Sequence, residues 1–243
     1  MKKLNVLALL LIALVIVVAG CRKPPETAET LVLKVLAAHG GEEALRQVKG
    51  YLFHGHAKSL ADEEQGKLWI IYRHPDKLRV VVEMTDAREE RLYLQGIGWN
   101  DDGKGFKSAS GMILDLMKFQ TEHLSLPLRL LEGKYRASLL GEIVEGEPIR
   151  LALTDTDGLE TRISIDPVRM VIRAAERDFE VGNQKVVMAV LYEEYRTIKG
   201  VQLPHRILNF INGNPVGRTD FTSVQINPSI PEKIFSAPGQ GAR

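Results

Sequence analysis

Beyond Gly50 the chain repeats one pattern: apolar and polar residues alternate with a period of two, in short runs separated by turn residues. The clearest run is Leu78-Arg79-Val80-Val81-Val82-Glu83-Met84. It puts Leu78, Val80, Val82 and Met84 on one face and Arg79 and Glu83 on the other, the signature of a half-buried strand. Similar runs over 51–60, 66–73, 90–95, 137–145, 149–154, 160–165, 170–180, 185–195, 205–212 and 217–226 predict further strands. Between them stand Asp101-Asp102-Gly103, Asp157-Gly158, Val181-Gly182-Asn183 and Asn212-Gly213-Asn214, all with turn chemistry. Many short strands at this spacing predict a mainly β fold of α+β class, an antiparallel sheet curling toward a barrel.

Two segments follow another period. Leu31, Leu33, Val35, Leu36 and Ala38, then His39-Gly40-Gly41, then 42–48 with Ala44, Leu45 and Val48 on one face, predict two short helices with a Gly-Gly stop between them. In mid-chain, 111–120 carries Met112, Ile113, Leu116, Met117 and Phe119 at helical spacing, and 124–131 is a second apolar stretch interrupted by Pro127. Too many of its sides are apolar for a surface helix. The pair either plugs the open mouth of a curved sheet or packs on its convex face; periodicity does not choose between them.

The amino terminus is of another kind. Met1-Lys2-Lys3 precedes an apolar run from Leu4 that ends at Val18-Ala19-Gly20-Cys21, the only cysteine of 243 residues. A positive start, a short apolar core and small residues before the break fit a secretory signal. The last four residues resemble the lipobox of bacterial lipoproteins, in which signal peptidase II cuts before a cysteine carrying diacylglycerol, which is then N-acylated; the alternative is a single-pass anchor ending in a chance cysteine. Residues 1–20 would be the cleaved signal, 21–29 with Pro24-Pro25 an acylated, flexible tether, 30–238 the folded domain and 239–243 a disordered tail.

Cleavage changes the charge that matters. The 32 basic residues lose Lys2 and Lys3, leaving 30 against 31 acids, a net charge of −1. That excludes an electrostatic footprint for nucleic acid. With Cys21 acylated no thiol remains for a disulfide, a nucleophile or a metal. About 220 residues suffice for one large β domain stabilised by its own core.

Gly66-Lys67-Leu68-Trp69-Ile70-Ile71-Tyr72-Arg73-His74-Pro75 resembles the Gly-x-Leu-Trp strand leading into Arg-Pro of the LolA/LolB lipoprotein-carrier family. Phe221 to Phe235, with Asn227-Pro228 inside it, resembles that family's closing strand and terminal Phe. Asp155-Thr156-Asp157-Gly158, Ile165-Asp166-Pro167 and Gly200-Val201-Gln202-Leu203-Pro204 fall in the family's order, so the resemblance covers about 30–238. It implies a LolA-like half-barrel of about eleven antiparallel strands, capped by helices, around a cavity for acyl chains. Leu68, Ile70, Tyr72, Leu78, Val80, Val82, Met84, Ile113, Leu116 and Met117 are the expected lining. An acyl chain gains on the order of 10 kcal/mol there at about 0.8 kcal/mol per methylene. Release would then need handover to a partner or a membrane.

The resemblance assigns Arg73 a role, hydrogen bonding to carbonyls of the lid over the empty cavity; a surface ion pair is the alternative. Here His74 intervenes before Pro75. The family's anchored acceptor also has an apolar loop tip, whereas Thr85-Asp86-Ala87-Arg88-Glu89-Glu90 has no large apolar residue. Arg22 after the lipidated cysteine, in place of the Asp that retains lipoproteins at the inner membrane of enteric bacteria, implies outer-membrane delivery facing the periplasm. A periplasmic carrier or an inner-membrane transporter is the implied partner, and a monomer is expected.

Enzymatic readings lack residues. There is no His-Glu-x-x-His, Walker loop or Gly-x-Ser-x-Gly, and Gly96-Ile97-Gly98 lacks the rest of a dinucleotide motif. His54 and His56 share a strand face but have no third ligand, and Asp101 and Asp102 read as turn residues. Trp69 and Trp99 fit a β core better than a ligand sandwich. The expectation is no catalytic residue, no metal and no cofactor beyond the acyl groups on Cys21. Two binding functions remain: an acyl carrier or acceptor, and a sensor of the same fold that binds an envelope partner protein, as the related anti-sigma-factor binding modules do.

Overall fold

The computed structural model describes residues 26–238; Cys21, the signal segment and the 239–243 tail lie outside them. Thr27 caps the first helix, α1 (Ala28–Ala38), in a reciprocal pair: Thr27 Oγ1 accepts from the Thr30 amide and Thr30 Oγ1 accepts from the Thr27 amide. The helix thus begins inside the segment read as tether, which ends sooner than residue 29. Gly40 and Gly41, both with positive φ, turn the chain into α2 (Gly41–Arg46).

Strands β1 (Gly50–Ser59), β2 (Gln65–Arg73), β3 (Lys77–Glu83), β4 (Arg88–Leu94), β5 (Ile97–Asp101) and β6 (Lys107–Ser108) form one antiparallel meander. Then come α3 (Met112–His123) and α4 (Leu126–Leu131). The second meander is β7 (Arg136–Leu139), β8 (Ile149–Thr154), β9 (Glu160–Ile165), β10 (Ile172–Val181) and β11 (Gln184–Glu193). After a separate hairpin of β12 (Arg196–Ile198) and β13 (Val201–Leu203), β14 (Arg206–Ile211) and β15 (Asn214–Ile226) return to the sheet. The order is β6-β5-β4-β3-β2-β1-β15-β14-β11-β10-β9-β8-β7, thirteen strands in an open antiparallel sheet. The expected count of about eleven misses β5 and β6, and the predicted strand over 137–145 stops at Leu139.

The two meanders join where β1 meets β15, with a register shift at His54/Gly55. There only glycine fits, since a Cβ on Gly55 would stand 2.1 Å from the Asp220 carbonyl oxygen. Period two is realised as read: Leu68, Ile70, Tyr72, Leu78, Val80 and Val82 are buried on the inner face, while Trp69 and Ile71 remain half-buried outside. Trp69 stacks on exposed His54, and Trp99 pairs with Leu92 on the same outer face.

The helix pair settles the open choice. β6 and β7 are the two edges of the sheet yet are consecutive in the chain, so α3 and α4 cross the whole open side and pack inside it, against β4, β5 and β10. Pro127 falls in the first turn of α4, where its missing amide is not needed. Core residues from Ala28 to Ile226 join helices and inner face in one cluster. A chain starting at Arg22 therefore keeps the whole described core.

Outside the sheet, the 3₁₀ turn Glu232–Phe235 lies on β3. Phe235 is buried there beneath the Arg73 guanidinium, 5.1 Å from ring centre to Cζ, and lies apart from the main core. Phe235→Ala should lower stability by roughly 3 kcal/mol, at the low end for Phe truncation because the end segment can lift off, as read from urea unfolding.

His39, buried between helices and sheet, binds the Gln202 carbonyl through Nδ1 (3.3 Å) and accepts the Ile172 amide at Nε2 (3.1 Å). Burial pushes its pKa down to about 4. The unfolded chain takes up this proton near 6.5, so the contribution of His39 is complete above that pH and is lost as pH falls toward 4. Stability measured by urea titration should decline across this window, and less steeply in His39→Gln.

Candidate functional site

On the inner face, α3 stands off the first meander and leaves a cleft of about 290 Å³. Its floor is apolar: Leu68 and Ile70 from β2, Val80 and Val82 from β3, Ile207 from β14 and Phe221 from β15. Met84 lies toward the mouth with Lys58, Ser59 and Arg218. Gln120, His123 and Leu124 form the roof. The volume is at the lower bound of small-molecule pockets, about 300–1,000 Å³.

Of the expected lining, Leu68, Ile70, Val80, Val82 and Met84 come together here. Tyr72 and Leu78 lie one row deeper, closed off in the core with Tyr51. Met117 is buried over β5, where Gly98 makes room: a Cβ there would be 2.7 Å from the Met117 sulfur. The turn of α3 before it overhangs the sheet edge, so Ile113 is exposed and Leu116 half-exposed, and neither faces the cleft. The roof is the next stretch of the same helical stripe, at Gln120 and His123.

Arg73 does not hold the lid. It ends β2 on the outer face, where its Nη2 donates to the Ile230 carbonyl (2.6 Å) and its Nη1 pairs with Glu232. Arg79 Nη1 donates to the Ile234 carbonyl beside it (2.7 Å). Strand alternation is the reason: Tyr72 takes the inner position, so Arg73 must point out. The lid contact comes from the opposite partner. Arg129 of α4 donates through Nη2 to Asp76 Oδ1 (2.6 Å) and the Pro75 carbonyl (3.3 Å), and Glu132 meets His74 Nε2 at 2.6 Å. His74-Pro75, a cis peptide, forms the turn that receives them.

The junction of α3 and α4 is seated by buried polar groups. Arg177 of β10 donates to Glu122 Oε2 (2.5 Å) and Thr161 Oγ1 (2.6 Å) and lies over the Phe119 ring. Removing either charge of such a buried pair costs about 3–5 kcal/mol. The Tyr192 hydroxyl donates to the His123 carbonyl (3.1 Å), and burial followed by nearby Arg177 pushes the His123 pKa down to about 3. His123 is therefore neutral in the cleft at neutral pH. Across α3 a second cavity of about 410 Å³ is lined by Asp76, Lys118, Glu122, Arg129, Asp155 and Asp157. Lys118 pairs there with Asp157 and Arg129 with Asp76, and charged side chains outnumber the apolar ones of Leu114, Tyr93 and Tyr135. His54 and His56 point outward, exposed, and Asp101 accepts the Gly103 amide as a turn residue.

Solved structures with this architecture come from several bacteria. A DUF1329 family protein from Desulfovibrio piger superposes with a TM-score of 0.58 at 10% identity, over 87% of this chain and 98% of its own. A LolA superfamily protein from Nitrosomonas europaea gives 0.56 at 14%, over 88% and 99%. The fold is LolA-like. An outer membrane lipoprotein-sorting protein domain from Vibrio parahaemolyticus gives 0.55 at 13%, over 86% and 97%. No protein-family model and no curated protein sequence matches the chain.

In this LolA-like frame the two arginines have separable effects. Arg73→Leu should raise amide exchange over 230–235 and leave α3 and α4 protected. Arg129→Leu should do the reverse, raising exchange in α4 at a cost of about 1–2 kcal/mol; hydrogen–deuterium exchange read by mass spectrometry distinguishes them.

Proposed function

We propose that this protein is a membrane-anchored lipoprotein of the cell envelope whose cleft takes acyl chains of lipids or lipoproteins, in transfer toward the outer membrane. The observation that carries the reading is the cleft: an apolar floor on the sheet's inner face, roofed by the end of α3, where Glu122 and the His123 carbonyl are tied to the second meander. A chain on that floor removes methylenes from water at about 0.8 kcal/mol each, enough to compete with a bilayer. The names of two fold neighbours, a LolA superfamily protein and an outer-membrane lipoprotein-sorting domain, support it.

In this reading Cys21 carries diacylglycerol and an N-acyl chain, and two or more chains give stable anchoring where one would be marginal. Arg22 directs the mature protein to the outer membrane, facing the periplasm. The protein acts by binding and handover, without catalysis. Its donor is a periplasmic carrier or an inner-membrane transporter. The turn between β3 and β4, closed by the Met84 amide on the Ala87 carbonyl, keeps its polar surface, so handover here does not use an apolar loop tip.

The chain starting at Arg22, purified without detergent, should yield extractable acyl lipid by mass spectrometry and take up radiolabelled hexadecanoate or hexadecan-1-ol. Val82→Trp, filling the floor, should lower uptake by about tenfold or more while costing no more than about 1–3 kcal/mol of stability. Protein that yields no lipid and takes up neither probe would overturn the reading.

A further inference from the structure

The cleft contains a group that an acyl floor does not need. Arg91 of β4 faces into it in the row Phe53–Ile70–Val80–Arg91, whose members pair in turn across β1 to β4. The next row toward the mouth is Leu68–Val82–Glu89, and the row of Met84 lies beyond it. Arg91 is thus two rows inside the opening. Its Nε is buried without a hydrogen-bond partner, and among the described residues no carboxylate comes within ion-pairing distance of it. Gln120 in the roof repeats the anomaly: its Oε1 is buried and unpartnered on the same cleft. A half-turn of that amide presents a donor in place of the acceptor.

The other ionisable groups around the cleft are spoken for. Lys58 lies 3.7 Å from Glu63, Arg218 donates to Asp220 at 2.6 Å, and His123 is neutral. Glu89, exposed one row nearer the mouth, is the remaining acid, and burial still presses the Arg91 pKa below the usual guanidinium value. Arg91 is half-buried with its Nε out of solvent, and a cation so desolvated without a counter-charge is costly; an anion brought into the cleft lowers that cost. A guanidinium fork suits a carboxylate or a phosphate, which it can hold by two parallel bonds.

We propose that Arg91, assisted by Gln120, is a headgroup site, and that the ligand is a single-chain amphiphile with a small anionic head, carboxylate or phosphate. Its chain lies along the floor from Val80 and Ile70 toward Phe221 and Ile207. This rests on the acyl-binding reading and narrows it: about 290 Å³ leaves no room for a second chain, and the head is selected by charge.

The test compares three ligands of equal chain length, hexadecanoate, hexadecyl phosphate and neutral hexadecan-1-ol, by calorimetry on the chain starting at Arg22 and on its Arg91→Met and Arg91→Gln variants. In the parent, one or both acids should bind about tenfold or more tighter than the alcohol, the value of a charge-assisted contact. The acid that binds tighter identifies the head. Both variants should bring acids and alcohol to parity by weakening the acids alone. Their thermal midpoints should stay level or rise, since an unpaired buried charge is removed. Equal binding of acids and alcohol by the parent, or undiminished acid binding by the variants, overturns the headgroup site and leaves the acyl reading standing. Binding of none of the three overturns both.

Discussion

Strands β6 and β7 follow one another along the chain but form opposite edges of a thirteen-stranded sheet, so residues 109–135 have to cross its entire open side. Two facing edges left open would expose unpaired backbone groups and the inner apolar face together. The crossing segment is α3 and α4, and its apolar stripes meet that face. Lid, core and cleft all follow from this connection. Where α3 lies close, over Gly98, it is core; where it stands off, between Gln120 and Leu124, it leaves the cleft.

The polar groups beneath the lid divide into two kinds. Those that seat it, at the junction of α3 and α4 and along α4, are matched: Arg177 with Glu122 and Thr161, Tyr192 with the His123 carbonyl, Arg129 with Asp76. Such pairs specify a seating without adding much net stability, because desolvation offsets their attraction. In the cleft, Arg91 Nε and Gln120 Oε1 are unmatched. Of the five buried side-chain polar atoms without a hydrogen-bond partner among the described residues, Arg91 Nε and Gln120 Oε1 face this one cleft, where a ligand can supply the missing partner.

Much of the fold was legible because strand alternation is strong: the face carrying Leu78, Val80 and Val82 is buried throughout. Turn residues were equally clear, and Asn212 and Gly213, both with positive φ, close the last hairpin as their types suggest. Half of the expected lining reaches the cleft. The rest was lost for geometric reasons: Tyr72 and Leu78 share the correct face but lie a row too deep, and Ile113 shares the correct helical stripe but overhangs the edge. Periodicity reports a face; depth along it depends on where the helix crosses. Arg73 failed differently, since its own alternation with Tyr72 already placed it outside.

What the sequence by itself determined is local: the strand period, the turns, the helical stripes, the lipobox-like leader with its one cysteine, and the motif order that resembles LolA/LolB. These depend on neighbours within a few residues. Only the tertiary structure decided that the helix pair lies inside the sheet, that Arg129 rather than Arg73 ties the lid, and that Arg91 and Gln120 face one cleft unpaired. Each depends on partners far apart in the chain, brought together by strand register and the crossing of α3, which no local pattern encodes.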